Sequence, residues 1–143
     1  MFVGEYAHSI DSKGRLTVPA KFRQDFEAGL VMTAGLDHCL WIFTREGWER
    51  FAGKLGSLPS GKADARTLTR FFFSQASDSV PDRQGRVLVP ENLRQLASLD
   101  GDAIIVGVND RLEVWEPKAW GAFKSEQQAN LTTIAEELGD FGI

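Results

Sequence analysis

The chain has 143 residues, 43% of them hydrophobic and 25% charged, with a formal net charge of -4. This length suits one ordinary domain or two very small ones, and the composition excludes a disordered or fibrous chain. No stretch nears the roughly 20 apolar residues needed to span a bilayer. The start, MFVGEYAHSIDS, lacks the basic and apolar regions of a secretory signal. The lone Cys39 cannot form an intramolecular disulfide, so a reducing, cytoplasmic setting is expected. The acidic total argues mildly against nucleic acid, but charge distribution matters more than the sum. Residues 11–24 carry Lys13, Arg15, Lys21 and Arg23 against Asp11 alone, whereas residues 124–143 carry Glu126, Glu136, Glu137 and Asp140 against Lys124 alone.

In chain order, VGEYAHSI reads as a strand, and RLTV (15–18) as a short second one. Between them Gly14 is free to take a positive φ, and the Asp11 carboxylate can accept hydrogen bonds from turn amides. Pro19 suits the first position of a helical segment, AKFRQDF, because its missing N–H would be unpaired there. LVMTAGL and CLWIF then read as strands joined at Asp37-His38. A helix through REGWERFAGKL is expected to end near Gly56, SLPSGK breaks the chain, and ADARTLTRFFFSQA reads as a second helix. RVLV, ENLRQLASL, AIIVGV and LEVW repeat the strand–helix–strand–strand order, with a turn at Asn109-Asp110-Arg111. A final helix is predicted from Pro117 through AWGAFKSEQQANLTTIAEEL.

That order occurs twice because the chain holds two copies of one unit. Aligning residue 11 with residue 82 gives seven identities in fourteen positions: Asp11/Asp82, Gly14/Gly85, Arg15/Arg86, Val18/Val89, Pro19/Pro90, Arg23/Arg94 and Gln24/Gln95. After a one-residue adjustment Gly35/Gly107, Leu40/Leu112, Trp48/Trp120 and Phe51/Phe123 also coincide. Each unit reads β-β-α-β-β and is too small to hold a core comfortably alone, so the two should pack as pseudo-symmetric halves.

Short units of this kind, with an Asp-x-x-Gly-Arg turn and a Val-Pro after the second strand, resemble the SpoVT/AbrB-type swapped-hairpin DNA-binding family. Two of them in one chain that opens MFVGEYAHSIDSKGRLTVPAKFR resemble the MraZ family. The resemblance implies an α+β fold in which two pseudo-symmetric swapped-hairpin units form one β-barrel-like core with flanking helices. The expected division is a first unit at 1–56, a linker and Phe-rich helix at 57–76, and a second unit at 77–143. It also implies a cytoplasmic, nucleoid-associated transcriptional regulator of the division and cell-wall gene cluster that includes its own gene. Such a regulator binds short direct repeats in double-stranded DNA as a closed homo-oligomeric ring, an octamer or larger. Neither enzyme activity, cofactor, metal, membrane nor small-molecule substrate is expected.

From the residues alone, the Asp-x-x-x-Arg turns could brace a hairpin or present an arginine to a guanine edge, which it can meet with two hydrogen bonds. The resemblance favours base reading by Arg15 and Arg86, with Lys13, Arg83, Lys21, Arg23 and Arg94 on phosphates, which position without specifying sequence. Asp11, Gly14, Asp82 and Gly85 would support the turns. An antitoxin-type interaction module is the second reading, though one unit with a disordered tail would be its usual form.

Other stretches read more simply as structure. GSLPSGKA (56–63) nearly spells a phosphate-binding loop but has Ala63 at the hydroxyl position and a helical pattern before it. Asp37, His38 and Cys39 are adjacent, and neighbours in sequence do not easily converge on one reacting atom. His8, His38 and one cysteine fall short of a zinc site. RFFFSQA (70–76) could stack single-stranded bases, pack the core or form a subunit interface. Trp48, Phe51, Trp120 and Phe123 should pack the following helices on the sheet, the NLT at 130–132 carries little weight as a glycosylation acceptor without a signal, and the acidic tail reads as a solvated helix face.

Overall fold

A computed structural model describes residues 1–142. The fold is mixed α+β. In chain order the strands and helices are β1 (Phe2–Ser9), β2 (Arg15–Thr17), β3 (Leu30–Ala34), β4 (Leu40–Thr44), α1 (Arg45–Gly56), α2 (Ala63–Ser74), β5 (Ser77–Ser79), β6 (Arg86–Leu88), α3 (Glu91–Leu96), β7 (Asp102–Asn109), β8 (Leu112–Trp115), α4 (Pro117–Gln128) and α5 (Leu131–Glu137). Six strands form an antiparallel sheet in the order β1-β7-β8-β4-β3-β5, and β2 pairs with β6 in a separate two-stranded ribbon.

The pairing is reciprocal between the copies. β1 of the first copy pairs with β7 of the second, and β5 of the second pairs with β3 of the first. β4 pairs with its counterpart β8, and β2 with its counterpart β6. Each copy thus completes its backbone hydrogen bonding on the other, as buried peptide groups require.

Strand alternation sends side chains to two cores. Leu40, Ile42, Ala103, Ile105, Leu112 and Val114 face one cluster, which the ribbon covers with Leu16, Val18, Val87 and Val89. Trp41, Phe43, Val106 and Trp115 face the other, which is covered from α1, α2 and α4 by Trp48, Phe51, Phe72 and Trp120. Of the Phe run, Phe72 is buried and stacks on Trp41 at 5.3 Å, Phe71 reaches both clusters, and Phe73 lies half-exposed beside Trp48 at 5.5 Å. The run therefore packs in the core rather than forming an open stacking platform. Thr33, fully buried, donates to the Phe72 carbonyl at 3.0 Å and ties β3 to the end of α2. Glu113 accepts from both the Trp41 and Trp115 indole N–H groups, at 2.9 and 3.1 Å, so its partly buried carboxylate is satisfied.

Two predicted helices differ. After Pro19 the first copy forms two 3₁₀ turns, Ala20–Phe22 and Gln24–Phe26, where the second copy forms α3. Phe22 and Phe26 stand where the second copy has Leu93 and Ala97, and both rings are driven fully into the core against Phe2, at 5.2 and 5.4 Å. Pro19 and Pro90 take the N-cap position, one residue before the predicted one. The tail is two helices rather than one. Asn130 leaves helical geometry (φ -106°, ψ -1°) and its side chain donates to the Glu126 carbonyl at 3.3 Å, competing with the helix ladder.

At Gly107 a Cβ would strike the backbone of Phe2 and Val3, which cannot move without breaking the β1–β7 pairing. Gly107→Ala should therefore destabilise the fold by about 1–3 kcal/mol in urea denaturation, as overpacking does. Gly53→Ala, in α1 with open space around it, should stabilise by about 0.5–1 kcal/mol. Equal effects at the two positions would contradict the close approach of β1 and β7.

Candidate nucleic-acid interface

The two turns are built alike. Asp11 Oδ1 accepts from the Lys13 and Arg15 N–H groups at 3.0 and 2.9 Å, and Asp82 Oδ1 accepts from those of Gln84 and Arg86 at the same distances. Gly14 and Gly85 then turn the chain at φ 81° and 78°, a region where an L side chain is strained. The second carboxylate oxygen of each aspartate accepts from the arginine Nε at 2.8 Å. The bracing contact is thus present in both copies. It engages only Nε of Arg15, while Arg86 also donates from Nη2 to Gln84 at 3.3 Å.

The turns are also locked to each other. The Val18 N–H donates to the Gly85 carbonyl and the Val89 N–H to the Gly14 carbonyl, both at 2.8 Å. Arg94 donates from Nε to the Val89 carbonyl at 3.0 Å and lays its guanidinium across Gly14, whose Cβ would lie 3.0 Å from Arg94 Cζ. Arg23 does the reciprocal, donating to the Val18 carbonyl at 3.3 Å and lying over Gly85. The sequence pointed to Arg23 and Arg94 only as sources of positive charge. Their reach into the opposite copy's turn had no local signal beyond their matched positions in the repeat.

The ribbon register sets the exposed surface. Arg15 pairs with Leu88, Leu16 with Val87, and Thr17 with Arg86. Leu16 and Val87 point into the core, at 0% and 2% exposure. Alternation therefore places Arg15, Thr17, Arg86 and Leu88 together on the outward face, with the two arginines at diagonal positions about 7–8 Å apart. Lys13 and Arg83 are exposed in the turns, and Lys21 is exposed on the 3₁₀ segment with Nζ 5.8 Å from the Phe22 ring. Thr17 and Leu88 were missed as members of this face, although the alternation in RLTV and RVLV carries that signal.

The alternative sites take ordinary structural roles. Residues 56–63 link the end of α1 to the start of α2, so a helix precedes the phosphate-loop-like stretch. Cys39 is buried and its thiol bonds the Leu36 carbonyl at 3.1 Å. Burial, with Glu113 and Asp37 nearby, pushes its pKa up to about 12, away from nucleophilic use. Among the described residues no group of His, Cys, Asp and Glu is placed to hold a metal ion, and no helix is long and apolar enough to cross a membrane.

Both turn carboxyls are held below the ordinary carboxylate range. The backbone N–H of Arg15 is the main cause at Asp11 and that of Arg86 at Asp82; partial desolvation opposes it, and the arginine side chains and second turn amides reinforce it. A depressed folded-state pKa means that the turns' contribution is complete above the ordinary value of 3.8 and is lost as pH falls through the lower folded value. In an NMR titration the Lys13, Arg15, Gln84 and Arg86 amides should change with midpoints below 3.8. Midpoints at or above that value would contradict the charged cradle.

Comparison with known proteins bears on the whole chain. The family model described as "MraZ protein, putative antitoxin-like" matches it twice, over residues 1–71 and 72–142. The chain is 46% identical over 143 residues to the transcriptional regulator MraZ of Moorella thermoacetica, covering all of both chains. It is equally identical, over the same span, to that of Syntrophomonas wolfei. With that of Desulforamulus reducens it shares 44% over 140 residues, 98% of this chain and 99% of the relative. Two matches end to end, with full-length identity above 40%, establish that the chain belongs to the MraZ family.

Proposed function

We propose that this protein is a sequence-specific DNA-binding transcriptional regulator and that the β2–β6 ribbon is its reading head. The observation that carries the reading is the register: it brings one arginine from each copy to a single outward face. A two-stranded ribbon fits a major groove about 12 Å wide. Arg15, with both Nη nitrogens free of the aspartate bond, and Arg86 offer donors to guanine edges. Lys13, Lys21, Arg23, Arg83 and Arg94 meet phosphates, Arg23 and Arg94 with the nitrogens beyond Nε. The relatives' names as transcriptional regulators support the same role.

The finer parts of the proposal rest on the family resemblance. The fold is a pair of swapped-hairpin units, a description supported by the exchange of β1 and β5 between copies. The chain divides into 1–56, a connecting segment 57–76 and 77–143. The protein acts in the cytoplasm on the nucleoid, at short direct repeats upstream of a division and cell-wall gene cluster that includes its own gene. One ribbon contributes modest affinity; a closed ring of eight or more chains placing ribbons on successive repeats raises it through effective concentration.

With labelled duplex from upstream of its own gene, Arg15→Ala and Arg86→Ala should each weaken specific binding by about 10–100-fold, the loss expected for a bidentate base contact. Lys13→Ala should instead weaken specific and non-specific duplexes alike and lower the slope of log affinity against log salt by about one. Unchanged affinity in both arginine variants, with folding and oligomer mass intact, would overturn the assignment.

A further inference from the structure

The reading face carries a broken symmetry with a functional consequence. The four outward residues form a two-by-two grid: Arg15 opposite Leu88, and Thr17 opposite Arg86. A pseudo-twofold axis passes between Leu16 and Val87 and exchanges Arg15 with Arg86 and Thr17 with Leu88. Were the last pair identical, the face would look the same after half a turn. Such a face reads a site and its reverse equally well and favours an inverted-repeat sequence. The face is not identical: Leu88 is a large apolar side chain, 57% exposed, where the other half has Thr17, which is partly buried.

A single exposed leucine means little in itself. This one is the register partner of Arg15, stands two residues from Arg86 on the same face of its strand, and is flanked in sequence by Val87 and Val89 at 2% and 0% exposure. Its side chain therefore has the open side of the ribbon available. In the major groove the apolar feature of the base-pair edges is the thymine C5-methyl group. Threonine at the equivalent position offers a methyl and a hydroxyl, and a hydroxyl bonds either donors or acceptors and tolerates any base.

We infer that Leu88 contacts a thymine methyl beside the guanine read by Arg15, and that the Leu88/Thr17 difference sets the direction in which the ribbon reads DNA. This rests on the proposal that the ribbon reads DNA, and it deepens that proposal by naming the base and the polarity. The turn tips also differ, Ser12 against Arg83 and Lys13 against Gln84; they lie outside the grid, where Lys13 and Arg83 act on phosphates and Gln84 accepts from Arg86 Nη2.

The test is selection of binding sites by the full-length protein from a randomised duplex library, with wild type, Leu88→Thr, Arg15→Ala and Arg86→Ala in parallel. Wild type should recover an asymmetric site with thymine fixed at one position beside a guanine. Leu88→Thr makes the two non-arginine corners of the grid match; it should lose that thymine preference by roughly tenfold, the discrimination one apolar contact supplies, and recover a site closer to an inverted repeat. Its thermal melting should be unchanged because the side chain is exposed. The same asymmetric motif from wild type and Leu88→Thr, with binding lost in the arginine variants, would overturn this inference alone. Unaltered selection by all four proteins would overturn the reading-head proposal and this inference with it.

Discussion

The structure depends on backbone hydrogen bonds that neither copy can make alone. β2 and β6 are three residues each, too short to persist without a partner, and the partner each finds is the other. The strand ends beyond them are satisfied in the same way, by the carbonyl of the opposite turn's glycine. With β1 and β5 also exchanged, the two turns are locked to each other. Their relative position is set by ladder geometry, not by flexible side-chain contact. Duplication of the motif in the chain then has a physical reading: the surface exists only where two turns cross.

The aspartate–arginine pairs brace the turns without using the arginine Nη nitrogens, so bracing does not preclude the proposed reading. Each aspartate holds its arginine by Nε alone, which leaves both Nη nitrogens of Arg15 free of that bond and Nη2 of Arg86 on the Gln84 side chain. A guanidinium already restricted in this way loses less rotamer freedom on meeting a base than a free one. Arg23 and Arg94 add a second constraint by lying across the glycines of the opposite turns. The local excess of positive charge also resolves the tension with an acidic chain. Cations gather at the ribbon, while Glu126, Glu136 and Glu137 lie in the tail helices and Asp140 in the 3₁₀ turn after them.

Much of this was legible in the residues. Asp11 and Asp82 as amide acceptors, Gly14 and Gly85 at positive φ, the strand order and the matched arginines all follow from local chemistry that a repeat makes visible twice. The partner choice was not legible. Alternation marks a strand and its buried face, but β1 pairing with β7, about a hundred residues away, leaves no local trace. The same limit hid Glu113 between Trp41 and Trp115, and Arg94 over Gly14. Tertiary packing overrode helical propensity at Phe22 and Phe26, and one side-chain amide at Asn130 divided a pattern that reads as a single helix.

The central claim is that the two crossed turns act as one reading surface. A double-mutant cycle on duplex binding tests it most directly, with Arg15→Ala, Arg86→Ala and the double variant compared at fixed salt and equal oligomer mass. Groups that act as a unit are non-additive. The account predicts that the double variant binds little more weakly than either single one, because each arginine's base contact depends on the pose that both hold together. Losses that add fully would mean that the turns bind independently, and would contradict a shared ribbon face.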